Sequence, residues 1–203
     1  VDFIYDLSYT KNDRRCHELN IFPRVYDMID QAEQFVICDV FLFNDMGEAE
    51  AGKYPELAHK LAKKLIRRKR ERPDMMVAVI TDPLNIFYQS YRYSLFEDLR
   101  SEGIPVIITR LNSLRDSNPL YSTFWRICFS WLGRPNYKGW LPNPVDSVGP
   151  KGSLRSVLRL LNFKANHRKV IATDQATMIM SANPHDASGF HSNIAFYIDG
   201  CLK

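Results

Sequence analysis

The sequence has few of the features that mark membrane-spanning or disulfide-bonded chains. Its 203 residues include four cysteines, which are widely scattered and never spaced as Cys-x-x-Cys. This spacing predicts neither a zinc site nor a disulfide framework. Cys38 stands inside an apolar run and is expected to be a buried free thiol. No run of 18 apolar residues and no secretory apolar segment is present, so no membrane-spanning helix and no signal peptide is predicted.

The overall composition is that of a soluble globular protein. Hydrophobic residues make up 45% of the chain and charged residues 25%, both ordinary values. The length suits one well-filled domain over residues 1–203. The formal net charge of +4 favours anionic partners but does not distinguish nucleic acids from lipid headgroups.

Apolar runs alternate with amphipathic segments through the first half of the chain. Apolar runs predict strands, and apolar residues at helical spacing predict helices. The predicted strands cover 3–7, 35–43, 75–80 and 103–108, the predicted helices 21–34, 54–70 and 91–101, and the predicted loops 8–18 and 44–53. This alternation predicts an α/β sandwich whose mixed, largely parallel sheet is flanked by helices.

Two charged features of this region have alternative interpretations. Asp39 interrupts the apolar run 35–43; it is either a satisfied buried carboxylate or a support for a nearby active site. The predicted helix 54–70 has a face of lysines and arginines. That face could meet a membrane or a nucleic acid, or it could be an ordinary solvated surface.

The strand–helix pattern breaks at about residues 111–162, which we interpret as a mainly helical and loop insertion. This segment carries the aromatic residues Phe124, Trp125, Trp131 and Trp140, together with a proline- and glycine-rich loop over 133–144. Aromatic and arginine side chains together are typical of a lipid site or an interfacial anchor. The alternative is a helix that packs on the domain or covers a dimer face.

The residues after the insertion predict a phosphoryl site. His167 and Lys169 alternate at the start of an apolar strand, so their side chains share one face. The chain turns at Asp174, returns as a second strand over 177–180, and ends in Ser181 and Asn183. A neutral imidazole, a cation and an amide donor that converge on one spot suit a phosphoryl group.

His167, Lys169 and Asp174, in the spacing His-x-Lys-x-x-x-x-Asp, resemble the signature of the phospholipase D superfamily. Asn183 resembles the asparagine that follows on the phosphate side, and Asn193 resembles the family's downstream asparagine. The resemblance extends to bacterial phospholipases D and cardiolipin synthases. It implies an α/β sandwich, which agrees with the pattern of strands and helices.

The chain departs from the family pattern at two positions. Met180 stands where the family usually has glycine, and Ala195 stands where an acidic residue often follows the downstream asparagine. The resemblance is specific over residues 164–198 and weaker upstream.

The resemblance implies that His167 attacks phosphorus and forms a phosphohistidine, with Asp174 counted in the catalytic motif. Lys169 and Asn183, with Ser181 and Asn193, would then bind the phosphate oxygens. One ring nitrogen of the histidine is expected to need an acid or carbonyl behind it. Asp174, at a turn beyond the strand, is interpreted as more structural than catalytic. No metal and no cofactor is expected, because lysine and amide donors carry the charge.

The chain has only half of such a site. A second histidine must protonate the leaving alkoxide, yet His17, His59, His185 and His191 all lack a lysine two places on. The second motif must come from the rest of a longer chain, from another chain or from a homodimer mate, and the length favours the first. His185 and His191 are possible supports of the site, or simply loop hydrogen bonders.

The predicted function is that of a phospholipid phosphodiesterase or phosphatidyltransferase, which implies a phospholipid substrate and peripheral association with a membrane surface on its cytoplasmic side. The alternative is a metal-independent phosphodiester nuclease that works as a homodimer, with nucleic acid as partner. A third hypothesis is a non-catalytic adaptor that keeps the fold.

Overall fold

The computed structural model describes residues 1–46, 55–131, 139–146 and 149–200. Most of the predicted loop 44–53, the predicted helix start at Tyr54, part of the loop 133–144 and Cys201 lie outside these ranges. No helix within them is both long enough and apolar enough to cross a bilayer.

The described strands form one eight-stranded sheet in the order β2-β1-β8-β7-β6-β3-β4-β5. The strands are β1 (Asp2–Lys11), β2 (Arg14–Glu18), β3 (Phe35–Val40), β4 (Met76–Thr81), β5 (Val106–Ile108), β6 (Lys169–Thr173), β7 (Ala176–Met180) and β8 (Asn193–Asp199). The helices are α1 (Ile21–Gln31), α2 (Leu57–Glu71), α3 (Ser94–Ser101), α4 (Pro119–Cys128) and α5 (Leu154–Leu160). Short 3-10 segments cover Pro83–Gln89, Leu111–Ser113 and Asp186–Phe190.

The mixed α/β class is confirmed, but the prediction of a largely parallel sheet is wrong. Only β3, β4 and β5 pair in parallel among the described strands, and α2 and α3 make the two crossovers between them. The other pairs are antiparallel. Parallel neighbours need a crossover of a dozen or more residues, whereas the short turn from β6 to β7 can only reverse the chain.

Two strands were missed at the sequence level. The predicted loop 8–18 is in fact the end of β1 and the whole of β2, which pair through Lys11 and Arg14. The turn between them consists of Asn12 and Asp13, both with positive φ (52° and 57°), the backbone that a two-residue hairpin requires. The other missed strand is β8, which pairs with β7 and β1.

One face of the sheet holds the main core. Val36, Cys38 and Val40 of β3 are fully buried there, in one cluster with the apolar sides of α1, α2 and α3. Cys38 is a buried free thiol, as predicted, and burial raises its pKa to about 12.

The opposite face of the sheet carries exposed apolar side chains. The strand registers place them together: Phe3 lies opposite Phe196, and Ile179 lies opposite the same phenylalanine. All three side chains are exposed. Asp39 belongs to this face, because it pairs with Val170, which in turn pairs with Ile179.

The insertion packs at the carboxyl end of β4. Its helix α5 contacts the segment Pro83–Gln89, and the hydroxyls of Ser90 and Ser156 hydrogen-bond at 2.7 Å. A second apolar cluster forms there around Phe87, Tyr88 and Leu111. The insertion is thus fixed next to the sheet edge at which β6 begins.

Candidate active site

The site lies where β6 begins. Lys169 opens this strand and pairs with Val40 at the carboxyl end of β3. Its side chain is buried (8% exposed), while His167, two residues earlier, is exposed. Nζ of Lys169 lies 3.2 Å from Nδ1 and 3.4 Å from Nε2 of His167. The predicted placement of the two side chains on one face is confirmed.

Phe41 completes the surroundings of this pair. Its ring centroid lies 4.6 Å from that of His167, and Nζ of Lys169 lies 5.3 Å from the same centroid. Sequence reasoning missed this residue, because within the run 35–43 it looks like any other core aromatic. Its contact with both groups supplies a cation–π interaction and excludes water.

Burial, and then the charge of Lys169, lower the pKa of His167 below its ordinary value. Burial also lowers the pKa of Lys169. A lysine ammonium has only donors, so the ring nitrogen that faces it must accept and the imidazole is neutral. An unprotonated imidazole beside a cation is a competent nucleophile toward an anionic phosphoester. Among the described residues, no carboxylate or carbonyl accepts a hydrogen bond from the ring, so the expected acceptor behind it is not found there.

Asn183 is anchored next to Phe41. Its Oδ1 atom accepts a hydrogen bond from the backbone N–H of Leu42 at 3.1 Å. This bond fixes the orientation of the carboxamide and leaves the NH₂ group without a partner among the described residues. The amide therefore remains a donor for an anionic oxygen, the role predicted for Asn183.

Ser181 and Asn193 are placed differently from the prediction. The hydroxyl of Ser181 donates to Oδ1 of Asn193 at 3.1 Å and accepts from the backbone N–H of Ile194. The NH₂ group of Asn193 donates to the carbonyls of Ser188 and His191, both at 3.2 Å. These groups therefore brace the chain between β7 and β8, and their role as phosphate ligands stays a prediction.

Asp174 lies at the opposite end of β6 from His167. Its carboxylate is buried and accepts backbone N–H groups of Glu33, Gln34 and Phe35 at 3.0–3.4 Å. Burial opposes its ionisation, but these donors prevail and the pKa lies below its ordinary value. These hydrogen bonds fit the structural interpretation of Asp174, and the length of β6 separates its carboxylate from His167 and Lys169.

The supporting role would require Asp39 to lie behind the imidazole of His167, but Asp39 lies elsewhere. It lies on the other face of the sheet, where it pairs with Arg168 at 3.1 Å and accepts from the amide of Asn166 at 3.0 Å. Side chains alternate along a strand, so the two neighbours of the histidine point away from the site. Asp39 thus fixes the residues on either side of His167 without touching it.

The two possible supporting histidines have separate environments. Nδ1 of His185 lies 3.1 Å from the carbonyl of Asn44, so it donates to the loop that follows β3. Burial lowers the pKa of this histidine. His191 is exposed, and its carbonyl accepts from Asn193. Both observations fit the loop-bonding interpretation.

The predicted lipid-contact residues divide into two groups. Phe124, Trp131 and Trp140 are exposed (51%, 70% and 65%), whereas Trp125 is buried at 7% and its predicted contact with lipid is wrong. Leu120 and Ile127 are exposed instead, at 87% and 68%. Leu120, Phe124, Ile127 and Trp131 recur at helical spacing along and just beyond α4. We call these four residues the α4 stripe.

The His-x-Lys pair at the start of β6, a central strand of this mixed α/β sheet, resembles the signature of the phospholipase D superfamily. Two solved structures are similar to the chain. Nuc from Salmonella typhimurium, a phospholipase D family member, has a TM-score of 0.48 and 16% identity, over 89% of this chain and 76% of that one. NucT from Helicobacter pylori has a TM-score of 0.49 and 11% identity, over 98% of this chain and 86% of that one.

No family model matches the sequence, and no curated protein matches it.

Proposed function

We propose that this chain supplies one half of a phosphodiesterase site that works through a phosphohistidine and acts on phospholipids. The observation that carries the proposal is the contact of 3.2 Å between Nζ of Lys169 and the imidazole of His167. Both groups have lowered pKa values. The pair offers a neutral nucleophile and a cation at one point on the surface, which is what attack on an anionic phosphodiester requires.

In the proposed reaction, a ring nitrogen of His167 forms a bond to phosphorus while the bond from phosphorus to the leaving alcohol oxygen breaks. The ammonium of Lys169 and the NH₂ group of Asn183 bind the non-bridging oxygens as charge develops. Water or an alcohol then attacks phosphorus and releases the histidine, giving hydrolysis or transfer. Each step replaces one bond to phosphorus by another.

The leaving oxygen needs a proton in the first step, and the attacking water or alcohol must lose one in the second. General acid–base catalysis of this kind contributes about 10²–10⁴-fold. We assign it to a second His-x-Lys half-domain, supplied by the rest of a longer chain, by another chain or by a second copy of this one. The exposed position of His167 leaves its outer side open to such a partner.

The α4 stripe supports phospholipid as the substrate. Its four side chains are large, apolar and more than half exposed, and contiguous exposed apolar surface marks an interaction site. Tryptophan favours the boundary between water and hydrocarbon, and Trp131 and Trp140 are both exposed. We therefore propose peripheral association with a membrane surface, in which the α4 stripe lies in the lipid interface.

The nuclease alternative would use the basic face of α2 to bind the nucleic acid backbone. Many of these cations already have partners within the domain. Lys64 and Arg67 pair with Asp30, and Arg70 pairs with Glu102. This internal pairing reduces the charge available to a polyanion, and we rank the alternative second.

The test compares two substrates under the same conditions: phosphatidylglycerol vesicles and single-stranded DNA. The chain together with its second half-domain should release headgroup or exchange it with an added alcohol, and an acid-labile phosphohistidine should be trapped on rapid quenching. His167→Ala should abolish both signals, and the control His17→Ala should retain them. Cleavage of DNA with no action on vesicles would overturn the lipid proposal, and full activity of His167→Ala would overturn the enzyme proposal.

A further inference from the structure

A polar cavity of about 190 Å³ lies between α4, α5 and the segment Pro83–Gln89. The residues on its wall that could bind a ligand are Tyr88, Trp125, Arg126, Arg159, Asn162 and Lys164. None of them belongs to the His167–Lys169 site. The cavity is therefore a separate feature of the insertion.

The cavity has a positive charge balance. Arg126, Arg159 and Lys164 face it, and one carboxylate, that of Asp116, pairs with two of them: with Arg126 at 2.8 Å and with Lys164 at 2.6 Å. Even with the buried Asp82, which acts on Arg159 electrostatically, two carboxylates stand against three cations. A ligand that enters this cavity meets a surplus of donors and positive charge, which favours an anion.

Arg159 forms no salt bridge among the described residues, although the buried carboxylate of Asp82 acts on it electrostatically. Its guanidinium lies 5.2 Å from the ring centroid of Tyr88, and within the described part of the chain it makes no hydrogen bond and no ion pair. Burial lowers the pKa of this arginine. A partly desolvated guanidinium without a hydrogen-bond acceptor is costly. An arginine fork held against an aromatic ring is well suited to bind phosphate through two parallel hydrogen bonds.

The cavity is connected to the catalytic motif through a short chain of contacts. Asn162 and Lys164 belong to the segment that leads into His167. Further along it, the backbone N–H of Asn166 donates to Asp82 at 2.7 Å, and Asp82 caps the segment Pro83–Gln89 that forms one wall. The same stretch of chain thus positions both sites.

We propose that this cavity is a second phosphate-binding subsite, in which Arg159 is the main donor and Lys164 and Arg126 add charge. Its ligand is a phosphomonoester or phosphodiester group. The link to catalysis rests on the proposed function: a substrate or product that carries a second phosphate would occupy this subsite while the first phosphate meets His167.

The test is equilibrium dialysis of the full chain against radiolabelled inorganic phosphate. The wild-type chain should bind two phosphates. Arg159→Gln should weaken the binding of one of them by roughly tenfold or more. Arg159→Lys should retain part of the affinity for that phosphate. The control Arg14→Gln removes the same charge from the exposed strand β2 and should change nothing. Circular dichroism of each variant shows whether the fold is retained.

The two proposals fail in different ways in this experiment. If Arg159→Gln still binds two phosphates while Lys169→Gln loses one, the subsite is wrong and the proposed function stands. If Lys169→Gln still binds two phosphates while Arg159→Gln loses one, the subsite proposal stands and phosphate binding at the His167–Lys169 site is contradicted.

Competition for the Arg159-dependent site distinguishes a lipid phosphate from a small soluble phosphate ester. Displacement of inorganic phosphate by vesicles that contain phosphatidic acid, but not by vesicles of phosphatidylcholine alone, supports a lipid phosphate. Displacement only by soluble glycerol phosphate supports a small phosphorylated ligand. Displacement by neither would overturn the assignment of the ligand as a phosphate ester.

Discussion

The ring of Phe41 lies against the imidazole of His167, with 4.6 Å between the ring centroids, and the same ring lies 5.3 Å from the ammonium of Lys169. One apolar side chain thus contacts both reacting groups. Burial is the first cause of the lowered pKa of each group. Phe41 is therefore a positioning residue that shields one side of the imidazole and the buried ammonium from water, while the outer side of His167 stays exposed.

Substitution Phe41→Ala should raise the pKa of His167 toward its ordinary value, because water reaches the ring and stabilises the imidazolium. A larger fraction of the nucleophile is then protonated at a given pH, and the acidic limb of the activity profile moves to higher pH. Titration of the histidine ring protons by NMR measures the shift directly. Phe41→Leu keeps the apolar bulk and should stay close to wild type; an unchanged pKa in Phe41→Ala would contradict the assignment.

Substitution Lys169→Gln should also raise the pKa of His167, because it removes the positive charge that disfavours the imidazolium. The same change removes a donor to the phosphate oxygens, so the turnover rate should fall by about 10²–10³-fold. The pH titration and the rate are measured on one sample. Lys60→Gln, on the exposed side of α2, is the control, and a rate loss without a change in the pKa would show that the lysine charge does not act on the histidine.

Substitution Asp174→Ala should destabilise the fold by about 2–4 kcal/mol, because the backbone donors of Glu33, Gln34 and Phe35 lose a charged acceptor. The folded pKa of this carboxyl is depressed, so its contribution is complete above the ordinary carboxyl range and is lost as the pH falls through the folded pKa. Urea denaturation at neutral and acidic pH measures both effects. A decrease of the free energy of unfolding below about 0.5 kcal/mol at neutral pH is typical of an ordinary surface position. Such a result would contradict the structural role of Asp174.

The double substitution Leu120→Ser with Ile127→Ser should weaken vesicle binding at least about tenfold, since burial of one large apolar side chain is worth about 1.5–3 kcal/mol. Both residues are exposed, so the stability of the fold should change little. Flotation with anionic vesicles measures the binding. Trp125→Ala is the matched comparison: this buried tryptophan should affect the stability of the fold far more than vesicle binding, and the reverse result would place the membrane contact elsewhere.

The parts of the fold that depend on local spacing were predictable from the sequence. Helices α1, α2 and α3 follow from apolar residues at helical spacing, and β6 with β7 follows from an apolar hairpin around Asp174. The contact between His167 and Lys169 follows from alternation alone. These features need no knowledge of which strands become neighbours.

The errors arose where the outcome depends on long-range pairing. The sequence left open whether Asp39 supports the active site, because its face of the sheet is set by the register in which Val40 meets Lys169. Strand β2 is rich in charged residues, so its apolar signal is weak. Trp125 was grouped with its exposed neighbours, although the helical period separates it from Leu120 and Ile127.

The carboxylate of Asp174 joins the end of β6 to the backbone of Glu33, 141 residues earlier in the chain. The chain must therefore close a loop over most of its length before the motif strand is fixed, which is entropically costly and slow compared with helix formation. After dilution from denaturant, helical signal should return before catalytic competence. The recovery of turnover would then report the time at which β6 pairs with its neighbours in the sheet.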